Sequence, residues 1–201
     1  MIKNIIFDVG NVLVEVRSVD AMLEQGFSKE RAERIYASTL GNPGWKEMDR
    51  GVLSREECIA LLKKGLDEPL QKDLDLYFEK AVWHFVRPFP YTRPWLEELK
   101  NKGYKLYILS NYPSWLWTAN SENAFNFLDL IDGKVVSGFE KVIKPDAAIY
   151  ELLLSRYKLV PSESVFIDDL AVNIEGAKRQ GINGIQFLSH EDAVSKLAGL
   201  L

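Results

Sequence analysis

Short apolar runs that end in polar residues recur along this chain, with helical patterns between them. Ile5-Ile6-Phe7 runs into Asp8-Val9-Gly10-Asn11, and a second apolar run, Val12-Leu13, follows. That pattern predicts a buried strand and a sharp turn, with Asp8 at the strand's carboxyl end. From Val14 to about Arg87 the pattern is helical, without strand alternation. Ser28 is placed to cap a helix over Lys29 to Leu40, with Ala32, Ile35 and Tyr36 on one face, and Gly41-Asn42-Pro43-Gly44 breaks it. Ser54-Arg55-Glu56-Glu57 matches a capping box ahead of Cys58, Ile59, Leu61 and Leu62, with Gly65 as the stop. A third amphipathic stretch covers Leu74, Tyr77, Phe78, Ala81, Val82 and Phe85. Three or four helices are expected in this block.

From Pro88 onward the pattern alternates. A helix is predicted to start at Thr92-Arg93-Pro94-Trp95 and stop at Gly103, followed by a strand, Tyr104 to Leu109, ending in Ser110-Asn111. The aromatic stretch Tyr112 to Trp117 reads as a loop leading to a helix around 123–127, and Lys134 to Ser137 as a weak strand. Lys144-Pro145 opens a helix through Ile149, Leu152 and Leu153; Ser164 to Ile167 is a strand ending in Asp168-Asp169. A helix with Ile174 and Ala177 stops near Gly181, Gly184 to Phe187 is a last strand, and a helix closes the chain. Alternation of this kind predicts an α/β fold, a doubly wound, mainly parallel, Rossmann-like sheet. The first strand must join that sheet to be buried. The expected organisation is therefore a core of residues 1–14 and 88–201, with an α-helical cap of residues 15–87 inserted after the first strand.

Composition narrows the function classes. The 201 residues are 47% apolar and 27% charged, with a formal charge of −4, which gives no electrostatic reason to expect nucleic acid or an anionic membrane as partner. Cys58 is the single cysteine, so an internal disulfide and a thiolate metal cluster are excluded. The opening apolar run is too short for a signal-peptide core, and no stretch reaches the roughly 20 apolar residues of a membrane span. Cytoplasmic localisation is the expectation; the pattern does not choose between monomer and dimer.

Three strands thus end in Asp8, in Ser110-Asn111 and in Asp168-Asp169, with Lys144 at a nearby helix start. In a doubly wound sheet these ends converge on one crevice. Carboxylates there can hold a hard divalent cation, Mg²⁺ taking one or two from protein and leaving room for phosphate oxygens. Serine, asparagine and lysine are donors suited to an anion.

With these four segments in this order, the chain resembles the haloacid dehalogenase superfamily of aspartate-nucleophile hydrolases. The likeness spans Asp8-Val9-Gly10-Asn11-Val12-Leu13, Leu109-Ser110-Asn111, Lys144-Pro145, and Phe166-Ile167-Asp168-Asp169 with Asn173. Within the superfamily the first and fourth segments are most similar to bacterial glucose-1-phosphate phosphatases, and more distantly to the amino-terminal phosphatase domain of soluble epoxide hydrolases. The resemblance implies a Mg²⁺-dependent phosphatase acting on a small phosphorylated metabolite through an aspartyl phosphate. Asp8 would be the nucleophile; Asp8, Asp169 and the Gly10 carbonyl would hold the metal. Ser110, the amide of Asn111 and Lys144 would hold the transferring phosphoryl group, with Asp168 and Asn173 in support.

One position departs from the pattern. Most phosphatases of this superfamily carry a second aspartate, the general acid and base, two residues after the nucleophile; here that residue is Gly10. Three consequences are open: a leaving group that needs little protonation, such as a sugar 1-phosphate; a proton from water or a cap residue; or loss of catalysis with retention of phosphate binding. The intact nucleophile and metal carboxylate favour the first two. Carbon–halogen hydrolysis and a non-catalytic phosphate sensor are the alternatives. Trp45, Asp49, Arg50 and Trp83 in the cap, with Tyr112, Trp115 and Trp117, are candidates for substrate contact.

Overall fold

The computed structural model describes residues 1–200. Its centre is a parallel sheet of five strands: β1 (Asn4–Phe7), β4 (Lys105–Ser110), β5 (Gly133–Val136), β6 (Ser164–Asp168) and β7 (Asn183–Gln186). They run in the order β5-β4-β1-β6-β7, with β1 between β4 and β6. All four residues of β1 are buried, Ile5, Ile6 and Phe7 as the apolar run requires and Asn4 with its side chain donating to Ser164 Oγ at 3.2 Å. Side chains divide by alternation. Ile5, Phe7, Ile108, Val165 and Ile167 face one apolar layer, while Ile6, Tyr107, Leu109 and Phe166 face the other. The helices α9 (Ala147–Tyr157) and α10 (Ala171–Arg179) cover the second layer through Ile149, Tyr150, Leu153, Ile174 and Ala177. Helices α6 (Thr92–Asn101), α7 (Ser114–Asn123) and α11 (His190–Ala198) contribute Trp95, Leu96, Leu116 and Leu197 to the first.

Between β1 and α6 lie five α-helices: α1 (Ser18–Glu24), α2 (Lys29–Ser38), α3 (Trp45–Arg50), α4 (Arg55–Lys63) and α5 (Glu68–Glu79). Ser28 caps α2 by accepting from the Arg31 N–H, and the Ser54/Glu57 capping box of α4 is complete in both arms. The segment is not wholly helical, as the periodicity suggested. Val14–Val16 forms β2 and Val86–Pro88 forms β3, an antiparallel pair at the base of the helices, with Glu15 opposite Arg87 and joined to it at 2.8 Å. Helices α1 and α3 were not foreseen, because seven and six residues without a side-chain cap give little periodic signal. The expected helix near 123–127 is displaced: α7 begins inside the aromatic stretch, at Ser114, and ends at Asn123. No helix among the described residues is long and apolar enough to cross a membrane.

One close approach fixes α3 to the main sheet. A short helix, α8 (Ser137–Glu140), follows β5, and Gly51 ends α3 in the left-handed region at φ 69°. A Cβ on Gly51 would lie 2.3 Å from the Gly138 carbonyl oxygen, so both the conformation and the contact require glycine there. The Lys141 ammonium donates to the Gly51 carbonyl, and Ser137 Oγ donates to the Asp49 carbonyl at 2.5 Å.

Candidate active site

The sheet delivers Asp8 by continuing its own ladder one residue past β1: the Asp8 N–H donates to the Ile167 carbonyl at 2.9 Å. The chain then turns sharply. The Val9 carbonyl accepts from the N–H groups of Val12, Leu13 and Val14, and Asn11 takes φ 55°, a left-handed conformation asparagine tolerates. Tyr91 Oη and Thr92 Oγ1 tie the turn down by donating to the Val12 and Leu13 carbonyls. Gly10 itself is not in the left-handed region, and a Cβ there would meet only Val16 Cγ2 at an ordinary 3.6 Å. Nothing in the backbone or its surroundings demands glycine at this position.

Lys144 is the hub of the polar cluster. Its ammonium is buried 2.9 Å from Asp8 Oδ1 and 2.7 Å from Asp168 Oδ2. Burial alone would lower its pKa, but the charges of Asp8 and Asp168 and their hydrogen bonds together outweigh this and raise it, so the group is a permanent cation. Its main chain is held by Asn111, whose side-chain oxygen accepts from the Lys144 N–H at 2.8 Å and whose amide donates to the Lys144 carbonyl at 3.0 Å. The side chain of Asn111 is thus committed to positioning, and its main-chain N–H is the donor it could offer a ligand. Asp168 is fully buried and accepts from Lys144, from the Leu170 N–H, and from the Asn173 amide at 3.0 and 3.1 Å. It fixes the turn after β6 and Lys144 at once.

Asp8 has a different environment. Oδ1 accepts from the Val9 N–H at 2.7 Å as well as from Lys144, leaving Oδ2 the less encumbered oxygen. Its pKa is raised to about 7, chiefly by burial, with Lys144 opposing the rise and the charges of Asp168 and Asp169 adding to it. Asp169 is half-buried, accepts from the Asn11 side chain at 3.2 Å, and has its pKa raised by burial and by Asp168, against the Asn11 hydrogen bond. Oxygens of Asp8, Asp168 and Asp169 all lie within 4.8 Å of one another. Three carboxylates against one ammonium is a donor set suited to a hard divalent cation. Asp168 is occupied by internal donors, which leaves Asp8 and Asp169 as the carboxylates with oxygens to offer such an ion.

A cavity of about 540 Å³ opens over these groups. Asp8, Gly10, Asn111, Lys144, Asp169 and Asn173 line it, whereas Ser110, buried at the end of β4, and Asp168 do not. The helical segment supplies the far wall through Tyr36, Leu40, Trp45, Lys46 and Asp49. Of the substrate-contact candidates, Trp45, Asp49 and Tyr112 reach the cavity. Arg50 instead pairs with Asp146 and Glu47, Trp115 packs against Trp83 beneath Arg55, and Trp117 joins Tyr112 and Phe125 in the core. Tyr36, Leu40 and Lys46 escaped the sequence reading because they flank the Gly41–Gly44 break, and only folding turns that break inward.

The chain is similar to known proteins over most of its length. The sequence model of the haloacid dehalogenase-like hydrolases matches residues 2–181. A sesquiterpene phosphatase of Aspergillus oryzae is 25% identical, over 91% of this chain and 88% of its own length. A D-ribitol-5-phosphate phosphatase of Bacteroides thetaiotaomicron is 26% identical, over 92% of both chains. A crystal structure of an enzyme from the same bacterium, in complex with magnesium and inorganic phosphate, superposes with a TM-score of 0.68 at 23% identity, covering 92% of this chain and 94% of that one.

Proposed function

The chain belongs to the haloacid dehalogenase-like hydrolases, and on that footing we propose that it is a Mg²⁺-dependent phosphatase of a small phosphorylated metabolite. The observation that carries this reading is the buried Asp8–Lys144–Asp168 cluster beside Asp169, at the floor of a cavity roomy enough for a metabolite. Relatives that hydrolyse phosphate esters, and a neighbour solved with magnesium and phosphate, support the same class.

Asp8 Oδ2 attacks phosphorus, and the bond to the leaving oxygen breaks, giving an aspartyl phosphate that water then hydrolyses. Lys144 and the Asn111 N–H stabilise charge on the phosphoryl oxygens, in a site where burial strengthens each interaction. Asp168 and Asn173 position Lys144. Ser110 is buried beside the cluster, and its hydroxyl serves the phosphoryl group if it rotates toward the cavity. Bound Mg²⁺, held by Asp8, Asp169 and the Gly10 carbonyl, would neutralise the carboxylates and polarise the phosphoryl group. Residues 15–87 act as a cap whose cavity-facing side chains choose the leaving group, an activated ester such as a sugar 1-phosphate being the favoured type.

Hydrolysis of para-nitrophenyl phosphate with Mg²⁺ or with EDTA, by wild type and Asp8→Asn, tests this. Turnover that requires both Mg²⁺ and Asp8 is expected. Turnover indifferent to Asp8 overturns it, and EDTA-resistant hydrolysis of a haloacid would replace it with carbon–halogen chemistry.

A further inference from the structure

Phosphoryl transfer from an unactivated ester needs a proton at the departing oxygen, and Gly10 has no side chain to give one. We propose that Asp49, on α3, is the proton donor to the leaving group and the proton acceptor for the hydrolytic water. The proposal rests on the phosphatase reading above. Asp49 lines the same cavity as Asp8, from the opposite wall. Its position is fixed at the main chain. The Ser137 hydroxyl donates to its carbonyl and in turn accepts from the Tyr112 N–H at 2.9 Å, and the Gly51–Gly138 contact follows two residues on. The carboxyl makes no ion pair among the described residues; its neighbour Arg50 turns away to Asp146 at 3.4 Å and Glu47 at 3.7 Å.

Two carboxylates and two ammonium groups share the cavity with it. Asp8 and Asp169 face it from the strand ends, Lys144 from the loop before α9, and Lys46 from α3 itself. Burial pushes Asp49 up to about 8, with the Asp8 charge adding to the rise while the Trp45 side chain and Lys144 oppose it. In the first step Asp8 Oδ2 forms its bond to phosphorus. The P–O bond to the leaving group breaks with its electron pair on oxygen, and that oxygen takes the Asp49 proton, releasing an alcohol. In the second, water attacks phosphorus, its proton passes to the Asp49 carboxylate, and the P–O bond to Asp8 breaks, releasing inorganic phosphate.

The test compares kcat/KM, which reports steps up to leaving-group departure, for β-glycerophosphate and para-nitrophenyl phosphate. Asp49→Asn should lose about 10²- to 10⁴-fold on the alkyl ester, and far less on the aryl ester, whose leaving group needs no proton. It should also remove the high-pH limb of the alkyl ester's pH profile, and Asp49→Glu should retain most of the alkyl activity. Adding Gly10→Asp to Asp49→Asn should restore alkyl turnover, because a Cβ fits at position 10. Equal losses on both esters, no loss on the alkyl ester, or a wild-type protein that hydrolyses only the aryl ester overturns the proposal. A wild type inert toward both esters defeats the phosphatase reading itself.

Discussion

Replacing Lys144 by methionine keeps the buried stem and removes the charge on which the site is built. The ammonium lies 2.9 Å from Asp8 and 2.7 Å from Asp168, whose side chains are 12% and 0% exposed. Without it two carboxylates remain buried with no cation, and breaking a buried pair in this way costs about 3–5 kcal/mol. At roughly 2 kcal/mol per molar urea, the unfolding midpoint near neutral pH should fall by about 1.5–2.5 M. The loss should shrink toward about pH 5. The stranded carboxyls hold protons in the folded mutant that the unfolded chain has released, so the mutant's stability rises as pH falls. Equilibrium urea unfolding at the two pH values measures both effects. Lys144→Met/Asp168→Asn, with one uncompensated charge removed, should recover part of the midpoint. A midpoint unchanged at both pH values would refute the claim that Lys144 holds the cluster together.

Two further perturbations probe the far wall. Asp49 has a folded-state pKa of about 8, above the ordinary 3.8, so its contribution to stability is complete below about pH 4 and is lost as pH rises toward 8. Urea midpoints of wild type should therefore fall relative to Asp49→Asn across that window; parallel curves would mean that Asp49 is solvated and ionised. Gly51→Ala places a side chain in the left-handed region, about 1–2 kcal/mol, and drives its Cβ into Gly138, so thermal unfolding should come several degrees earlier. An unchanged melting temperature would mean that α3 is not docked on α8.

How far the molecule can be read from its sequence depends on the distance over which each feature is encoded. The strand ends at Asp8, Ser110 and Asp168 are local signals, an apolar run followed by a polar stop, and they fall where the pattern puts them. Ser28 and the Ser54/Glu57 box are local too. The β2–β3 pair is not, since Glu15 meets Arg87 across 72 positions and neither triplet alternates long enough to announce a strand. Helix α7 was hidden because its apolar residues serve two sides: Leu116 and Trp117 pack inward while Trp115 packs against Trp83, which erases a single stripe. Gly10 marked a missing acid in the sequence; only the fold, by joining Asp49 to Ser137 across 88 positions, supplies a candidate to replace it.

Acid quench of the wild-type protein during turnover of para-nitrophenyl phosphate with Mg²⁺, followed by mass spectrometry of the peptide containing Asp8, addresses the nucleophile most directly. The expected result is one phosphoryl group on Asp8, absent from Asp8→Asn, which should not turn over. Steady turnover with no adduct on Asp8, or an undiminished Asp8→Asn, would contradict covalent catalysis by this residue.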